Sequence, residues 1–244
     1  MDSGYYAAAA GLAAQTQALE LVAHNLANLS TTGYRGEQTT FRSLLVGNAT
    51  VSASALNVAV NDYGVLSGSR LDLRSGSVTP TGNPLDVAVA GSGFLAVQSA
   101  QGVLYTRDGS FHLTPTGQLV TGQGNAVLGE QGPVTLPNGD VAISTDGTIS
   151  VNGDVVDRLQ LAEFPRGTNL TAMGNATYSA PAGSAVAAAD SSVRQAMLES
   201  SNVSPTEGVV ELIAVQRNTE MLSRALSALD GQMNQIAVQD LPKV

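Results

Sequence analysis

The stretch AHNLANLSTTGYRG, residues 23–36, stands at the end of a long run of alanine and leucine. It carries Asn25 and Asn28 close together and then Gly33. Asparagine and glycine often end helices, because both tolerate the left-handed backbone conformation of a helix terminus. The stretch therefore predicts the end of a long helix, near Leu29.

A heptad repeat of apolar residues runs along this first helix. Residues from Tyr5 to about Leu29 favour helix, because alanine, leucine and glutamine dominate and proline is absent. The repeat predicts a coiled-coil seam, whose apolar members are Leu12, Leu19, Val22, Leu26 and Leu29. A second seam near the C-terminus contains Leu212, Val215, Leu222, Leu226, Leu229, Met233 and Ile236. Since one amphipathic helix cannot bury its apolar stripe alone, we expect the two helices to pair with each other, with other copies, or both.

The middle of the chain has a different period. Residues 78–165 contain short alternating runs such as FLAVQSA and VLYTR, separated by Asp-Gly and Asn-Gly pairs that suit tight turns. This pattern predicts an antiparallel β domain of roughly eight to ten strands and an α+β fold overall. The expected divisions are 1–42 for the first helix and its motif, 43–77 for a connector, 78–165 for the β domain, 166–193 for a second connector and 194–244 for the C-terminal helix.

Composition excludes several classes of function. The chain has 244 residues, with 20 acidic against 11 basic residues, so its net charge is −9 and nucleic acid is not an expected partner. Cysteine is absent, which excludes disulfides and thiolate chemistry. No apolar run is long enough to cross a bilayer, and the N-terminus lacks the basic region of a cleaved secretory signal.

Candidate chemical sites are weak. Gly91, Gly93 and Ala96 fit a dinucleotide-binding pattern, but strand-like sequence follows where that pattern needs a helix, so we expect a glycine hairpin. His24 lies in a predicted helix and His112 in a predicted strand, and neither has metal-ligand spacing. Aspartates next to glycine are better explained by turns than by acid–base chemistry. We expect no catalytic residues, no cofactor and no metal.

The opening stretch resembles the N-terminal motif of bacterial flagellar rod and hook proteins, N-x-A-N-x-x-T-x-G-[FY]-[KR]. The positions that match are Asn25, Ala27, Asn28, Thr31, Gly33, Tyr34 and Arg35. Two further segments are similar to signatures of the same family. They are LDVAVAGSGFLAVQSAQGVLYTRDGSF, residues 85–111, and the C-terminal pair LESSNV and QRNTEM, residues 198–203 and 216–221. Thr219 departs from the pattern, which usually has an aromatic residue there.

The resemblance implies a structural subunit of the rod. The length and the opening residues are most similar to the proximal rod members of the family, with the distal rod members as the close alternative. In this family the terminal helices form a coiled-coil inner layer around an export channel and the β domain lies outside. The implied partners are other copies, other rod proteins and the flagellar type III export apparatus, and the implied location is the periplasm.

The resemblance also suggests roles for the motif residues. We expect Asn28 to terminate the helix, Gly33 to permit the reversal, and Tyr34 with Arg35 to anchor the connector to a neighbouring subunit. Capping within one subunit is the alternative. A β-rich binding module for sugar or peptidoglycan would explain only the middle of the chain, and an enzyme would need a nucleophile–base pair or metal cluster that the sequence does not offer.

Overall fold

The structure is a computed structural model that describes residues 2–42, 65–165, 167–188 and 190–239. The chain divides into two compact units. We call one the helical unit; it contains the described parts of 1–26, 37–70 and 205–244. We call the other the β unit; it contains the described parts of 27–36 and 71–204.

The helical unit contains two long helices and a two-stranded ribbon. Helix α1 spans Asp2–Ala27 and helix α2 spans Pro205–Gln239, while β1 (Glu37–Arg42) pairs with β2 (Val65–Leu71). The helices contact each other where α2 begins, since a Cβ atom on Gly208 would lie 3.1 Å from Leu26 Cδ1. Proline is favoured in the first turn of a helix, which accounts for the start of α2 at Pro205.

The apolar rows of both helices are their less exposed rows. In α1, Val22 is buried. The seam residues of α1 that are half-buried are Leu12, Leu19 and Leu26. In α2 the half-buried positions among residues 205–228 are Leu212, Val215, Thr219, Leu222 and Leu226. The side chains of Leu229, Met233 and Ile236 lie outside the described part, and Leu29 follows α1 in the β unit, where it is half-buried.

The β unit consists of short strands. They are β3 (Val78–Pro80), β4 (Val87–Ala90), β5 (Phe94–Ser99), β6 (Gly102–Thr106), β7 (Phe111–Leu113), β8 (Leu119–Thr121), β9 (Ala126–Gly129), β10 (Gly132–Pro133), β11 (Val141–Ile143), β12 (Thr148–Val151), β13 (Asp154–Arg158), β14 (Leu161–Glu163), β15 (Thr171–Gly174), β16 (Thr177–Ser179), β17 (Val186–Ala187), β18 (Ser192–Gln195) and β19 (Met197–Glu199). Residues 78–163, which are described throughout, thus hold twelve strands.

The largest sheet has ten strands, ordered β15-β16-β6-β5-β9-β8-β7, with β10 beside β9 and β14 joining β5 to β17. Smaller sheets are β11-β12-β13, β18-β4 and β19-β3, and the pairings are antiparallel. The main core of the β unit is apolar and contains residues of the ten-stranded sheet, of the β11-β12-β13 sheet and of the β18-β4 pair. Its fully buried members include Val87, Leu95, Val97, Val127, Val134 and Ile149.

The α+β prediction is confirmed at the level of a β-rich middle with a helix towards each end. The segment expected as a second connector, 166–193, contains strands β15–β17, and β18 and β19 precede α2. Much of the first connector, residues 43–64, lies outside the described residues. One expectation was wrong: the turn between Gly91 and Gly93 does not form a hairpin, because β4 pairs with β18 while β5 pairs with β6, β9 and β14.

Candidate functional site: a buried charge cluster

Helix α1 ends within the motif of residues 25–35. Asn28 follows the last helical residue, and its carbonyl oxygen accepts a hydrogen bond from the Thr31 N–H at 3.1 Å. The Thr31 hydroxyl donates to Asn28 Oδ1 at 3.0 Å. Gly33 has a φ of +65°, and its N–H donates to the Glu199 carbonyl oxygen at 2.7 Å. The reversal at Gly33 therefore delivers the next residues to the C-terminal end of β19.

Asn25 makes a separate contact inside the helical unit. Its amide Nδ2 donates to the Glu37 carbonyl oxygen at 2.7 Å, and its Oδ1 accepts from the Glu37 N–H at 2.9 Å. The side-chain amide thereby pairs with the backbone of β1 much as a neighbouring strand residue would. Ala27, the last residue of α1, is exposed.

Arg35, Arg107 and Glu199 form a buried charge cluster in the β unit. Arg35 Nη2 lies 2.7 Å from Glu199 Oε1, and Arg107 Nη1 lies 3.3 Å from Glu199 Oε2. The exposed fraction of each side chain is 1% or less. The Gly76 N–H adds a third donor to this carboxylate, 2.8 Å from Oε1. One buried carboxylate therefore holds two guanidinium groups that come from distant parts of the chain.

Each arginine has further partners. Arg107 Nη1 donates to the Val89 carbonyl oxygen at 3.0 Å, and its Nη2 donates to the Gly91 carbonyl oxygen at 2.6 Å. The Arg107 guanidinium also lies over the Phe94 ring, 4.9 Å from the ring centroid, at a cation–π distance. The Arg35 backbone N–H donates to the Tyr178 hydroxyl at 2.8 Å. The corner at Gly91 is thus fixed to the charge cluster.

Asn202 ties three stretches of backbone together beside the charge cluster. Its Oδ1 accepts from the Gly36 N–H at 2.8 Å, while its Nδ2 donates to the carbonyl oxygens of Asp72 and Arg74, both at 2.9 Å. Its own N–H donates to the Tyr34 carbonyl oxygen at 3.3 Å. Both the oxygen and the nitrogen of the Asn202 side-chain amide form hydrogen bonds. Aspartate would lose the bonds that Nδ2 donates, and leucine would lose all the side-chain bonds.

Burial dominates the electrostatics of the charge cluster. The pKa of Arg107 is lowered to about 10, because burial and then the nearby charge of Arg35 lower it by more than Glu199 raises it. Three buried nitrogen atoms, Arg35 Nε, Arg35 Nη1 and Arg107 Nε, have no hydrogen-bond partner in the structure. The charge cluster is therefore strongly desolvated and is only partly satisfied by hydrogen bonds.

The burial of Arg35 corrects one expectation from the sequence. We expected Tyr34 and Arg35 to anchor the connector to a neighbouring subunit. The structure instead buries both side chains within their own chain, with exposed fractions of 5% for Tyr34 and 0% for Arg35. Neither is available to a neighbour while the β unit keeps this conformation.

Sequence reasoning missed the partners of Arg35. Arg107 and Glu199 belong to motifs that were noticed, but nothing in the sequence pairs them with residue 35. A charged residue at the end of an apolar strand is the signal that could have suggested burial. Tyr178 carried no such signal, because it lies in a stretch rich in alanine, threonine and glycine.

In the described part of the chain, no group of three or more histidine, aspartate or glutamate side chains could hold a metal ion. No described helix is both long and apolar enough to span a membrane.

Three segments of the chain match known protein families. Residues 6–35 match "Flagella basal body rod protein", residues 88–151 match "Flagellar hook protein FlgE/F/G D1 domain", and residues 194–239 match "Flagellar basal body rod FlgEFG protein C-terminal". The flagellar basal-body rod protein FlgF of Salmonella typhimurium is 38% identical to this chain, covering 97% of the chain and 98% of that relative. The chain belongs to the flagellar basal-body rod protein family.

Two further relatives of this chain are a FlgF protein and a FlgG protein. FlgF of Escherichia coli is 37% identical over 97% of the chain and 98% of that protein, whereas FlgG of Caulobacter vibrioides is 33% identical over 95% and 97%. The charge cluster draws one member from each family segment: Arg35 from the first, Arg107 from the second and Glu199 from the third. The three signatures of the rod family thus meet at a single buried site.

Proposed function

We propose that this chain is a structural subunit of the proximal rod of the bacterial flagellum, in the manner of FlgF, and that it has no catalytic role. The observation that carries the proposal is the match to FlgF proteins along almost the entire chain, at 38% and 37% identity. FlgG proteins match over a similar length at 33%. A distal rod subunit is therefore the alternative.

The proposed mechanism is helical self-assembly. The half-buried rows of α1 and α2 support a coiled coil in which the two helices pair and pack against other copies and other rod proteins. Heterologous contacts that do not close into a ring generate a tube. Such a tube would enclose an export channel and transmit torque from the motor.

The proposed route is export through the flagellar type III apparatus to the periplasm. In a free subunit, the apolar rows of α1 and α2 have no helices of other subunits to pack against. We therefore also propose that the ends of both helices are less ordered in the free subunit than in the rod. Amide hydrogen exchange in a dilute subunit tests this proposal. Slow exchange throughout α1 and α2 would contradict it.

Deletion of residues 205–244, which removes α2, tests the proposed function. The variant replaces the wild-type copy in the bacterium, and extracted basal bodies are examined by electron microscopy. We expect a non-motile strain with truncated rods, and the length of the remnant distinguishes a proximal from a distal position. Full motility with complete rods would overturn the proposal.

A further inference from the structure

Two Asn-Gly pairs occur in the sequence, Asn138-Gly139 and Asn152-Gly153. In such a pair the backbone nitrogen of glycine can attack the side-chain amide of asparagine, because glycine has no Cβ atom to hinder the approach. The reaction is intramolecular, so its rate depends on how easily the chain brings the two groups into contact. The two pairs lie in different surroundings in the β unit, and this difference predicts which of them reacts.

The Asn152-Gly153 pair is held by the hairpin that joins β12 to β13. Val151 pairs with Asp154 across the turn. Both turn residues have left-handed backbone conformations, with φ values of +55° and +94°. The Asn152 Oδ1 accepts a hydrogen bond from the Asp140 N–H at 3.0 Å, and the Asn152 N–H donates to the Asp140 carbonyl oxygen, also at 3.0 Å. The backbone and the side chain of Asn152 are therefore both fixed.

The side-chain amide of Asn152 also lies against the backbone of Gly139. A Cβ atom built on Gly139 would overlap this amide. This contact and the hydrogen bond from Asp140 restrict the rotation of the Asn152 side chain. Attack by the Gly153 nitrogen requires that rotation, so we expect the reaction at Asn152 to be slow.

The Asn138-Gly139 pair lies in the loop between β10 and β11, and both residues are exposed. Among the residues that the structure describes, the Asn138 side chain and the Gly139 N–H have no hydrogen-bond partner. The Asn138 amide can therefore turn towards the Gly139 nitrogen without the loss of a hydrogen bond. Because neither residue belongs to a strand, no strand pairing holds the backbone there.

We propose that Asn138 is a site of spontaneous deamidation and that Asn152 is protected from it. The Gly139 nitrogen loses its proton and bonds to the Asn138 Cγ, the bond from Cγ to Nδ2 breaks, and the amide nitrogen takes up a proton and leaves as ammonia. Water then opens the cyclic imide at either of its carbonyl carbons, which gives an aspartyl or an isoaspartyl residue. Both products carry a carboxylate, so the exposed loop gains a negative charge next to Asp140.

Incubation of the full-length chain at mildly alkaline pH, followed by tryptic digestion and tandem mass spectrometry, tests the proposal. No lysine or arginine lies between Arg107 and Arg158, so a single tryptic peptide carries both pairs and its fragmentation assigns the modified asparagine. We expect Asn138 to be converted at least about tenfold faster than Asn152 in the folded chain. In the Asn138→Gln variant, whose longer side chain disfavours ring closure, the rapid conversion should disappear and the rate at Asn152 should not change.

The same incubation in concentrated guanidinium chloride is the control, because unfolding removes the contacts that distinguish the two pairs. There we expect Asn138 and Asn152 to react at similar rates. Conversion of Asn152 as fast as that of Asn138 in the folded chain would overturn the proposal. So would a large increase in the rate at Asn138 on unfolding, because the loop would then protect Asn138 as well. The test uses the free chain and does not depend on rod assembly, so its failure is distinct from a failure of the proposed function.

Discussion

Glu199 is the residue on which the buried charges of the β unit depend. Glu199→Ala leaves the guanidinium groups of Arg35 and Arg107 buried without a counter-charge, and breaking a buried pair in this way costs about 3–5 kcal/mol. We expect the free energy of unfolding, measured by urea denaturation, to fall by that amount. The control is Glu130→Ala, which removes an exposed pair with Arg158 and should cost less than about 1 kcal/mol. Similar costs for both variants would contradict the assignment.

Gly33 combines an unusual backbone conformation with a close contact. An alanine there would have a φ of +65°, and its Cβ atom would overlap the Arg107 carbonyl carbon. Gly82 provides a matched control, because its φ is +78° and a Cβ there would meet nothing within 4 Å. We expect Gly82→Ala to cost about 1–2 kcal/mol from backbone strain alone, and Gly33→Ala to cost at least about 1 kcal/mol more from overpacking. Equal losses of stability in the two variants would contradict the prediction, because they would show that the added methyl group at Gly33 is accommodated without overpacking.

Asp108 makes the stability of the β unit depend on pH. Burial raises its pKa, the nearby Asp86 adds to this, and hydrogen bonds from Ser110 oppose it. The folded chain therefore holds the Asp108 proton more readily than the unfolded chain, whose pKa is near 3.8. The resulting penalty is present above the folded pKa and disappears as pH falls below 3.8.

Asp108→Asn should therefore be more stable than the wild type at pH 7, since Oδ1 can still accept from Ser110. The difference should shrink as pH is lowered to about 4. The control is Asp146→Asn, for which we expect the opposite change in stability. Hydrogen bonds from Thr148 lower the pKa of Asp146, so its charged form stabilises the folded chain at pH 7 and this effect is lost in acid. Parallel pH profiles for Asp108→Asn and the wild type would refute the burial argument.

The roles of individual residues were the hardest to predict. Sequence patterns located Gly33 at a chain reversal and Asn28 at a helix end, because both choices reflect local backbone chemistry. They could not show that Arg35 pairs with Glu199, since the two residues are 164 positions apart. Such a pair depends on the whole fold of the β unit, which no local pattern encodes.

Helix α2 has a half-buried row of side chains beside an exposed face. Leu222 is half-buried, whereas its neighbour Met221 is 61% exposed. Leu222→Ala should lower the stability of the helical unit by about 1 kcal/mol, which is less than for a fully buried leucine. Met221→Ala should change it by less than about 0.5 kcal/mol in the free subunit. Thermal unfolding followed by circular dichroism at 222 nm distinguishes the two, and a larger loss in Met221→Ala would reverse the assignment of the faces.

The elements were more predictable than their connections. Alanine-rich composition predicted helix up to about residue 29, and the helix ends at Ala27. The Asn152-Gly153 pair predicted a tight turn, and both residues have positive φ values where β12 meets β13. Strands β15–β17 were not predicted, because a sequence rich in alanine, serine and glycine has weak strand preference. Pairing with neighbouring strands outweighs that weak preference.

At the scale of the whole molecule, the charge cluster links the beginning, the middle and the end of the chain. Arg35, Arg107 and Glu199 lie in the three segments that match the rod family. The sequence could indicate the family from these segments, but it could not show that they meet. We propose that the charge cluster maintains the fold of each subunit and that the helices make the contacts between subunits.

Electron cryo-microscopy of basal bodies extracted from the native bacterium tests the account most directly. The map should show this chain as a helical array in the proximal rod, with α1 and α2 packed around the channel and Arg35 paired with Glu199 inside each copy. A complete rod that lacks the chain would contradict the account. So would a chain confined to the distal rod or one whose helices face away from the channel.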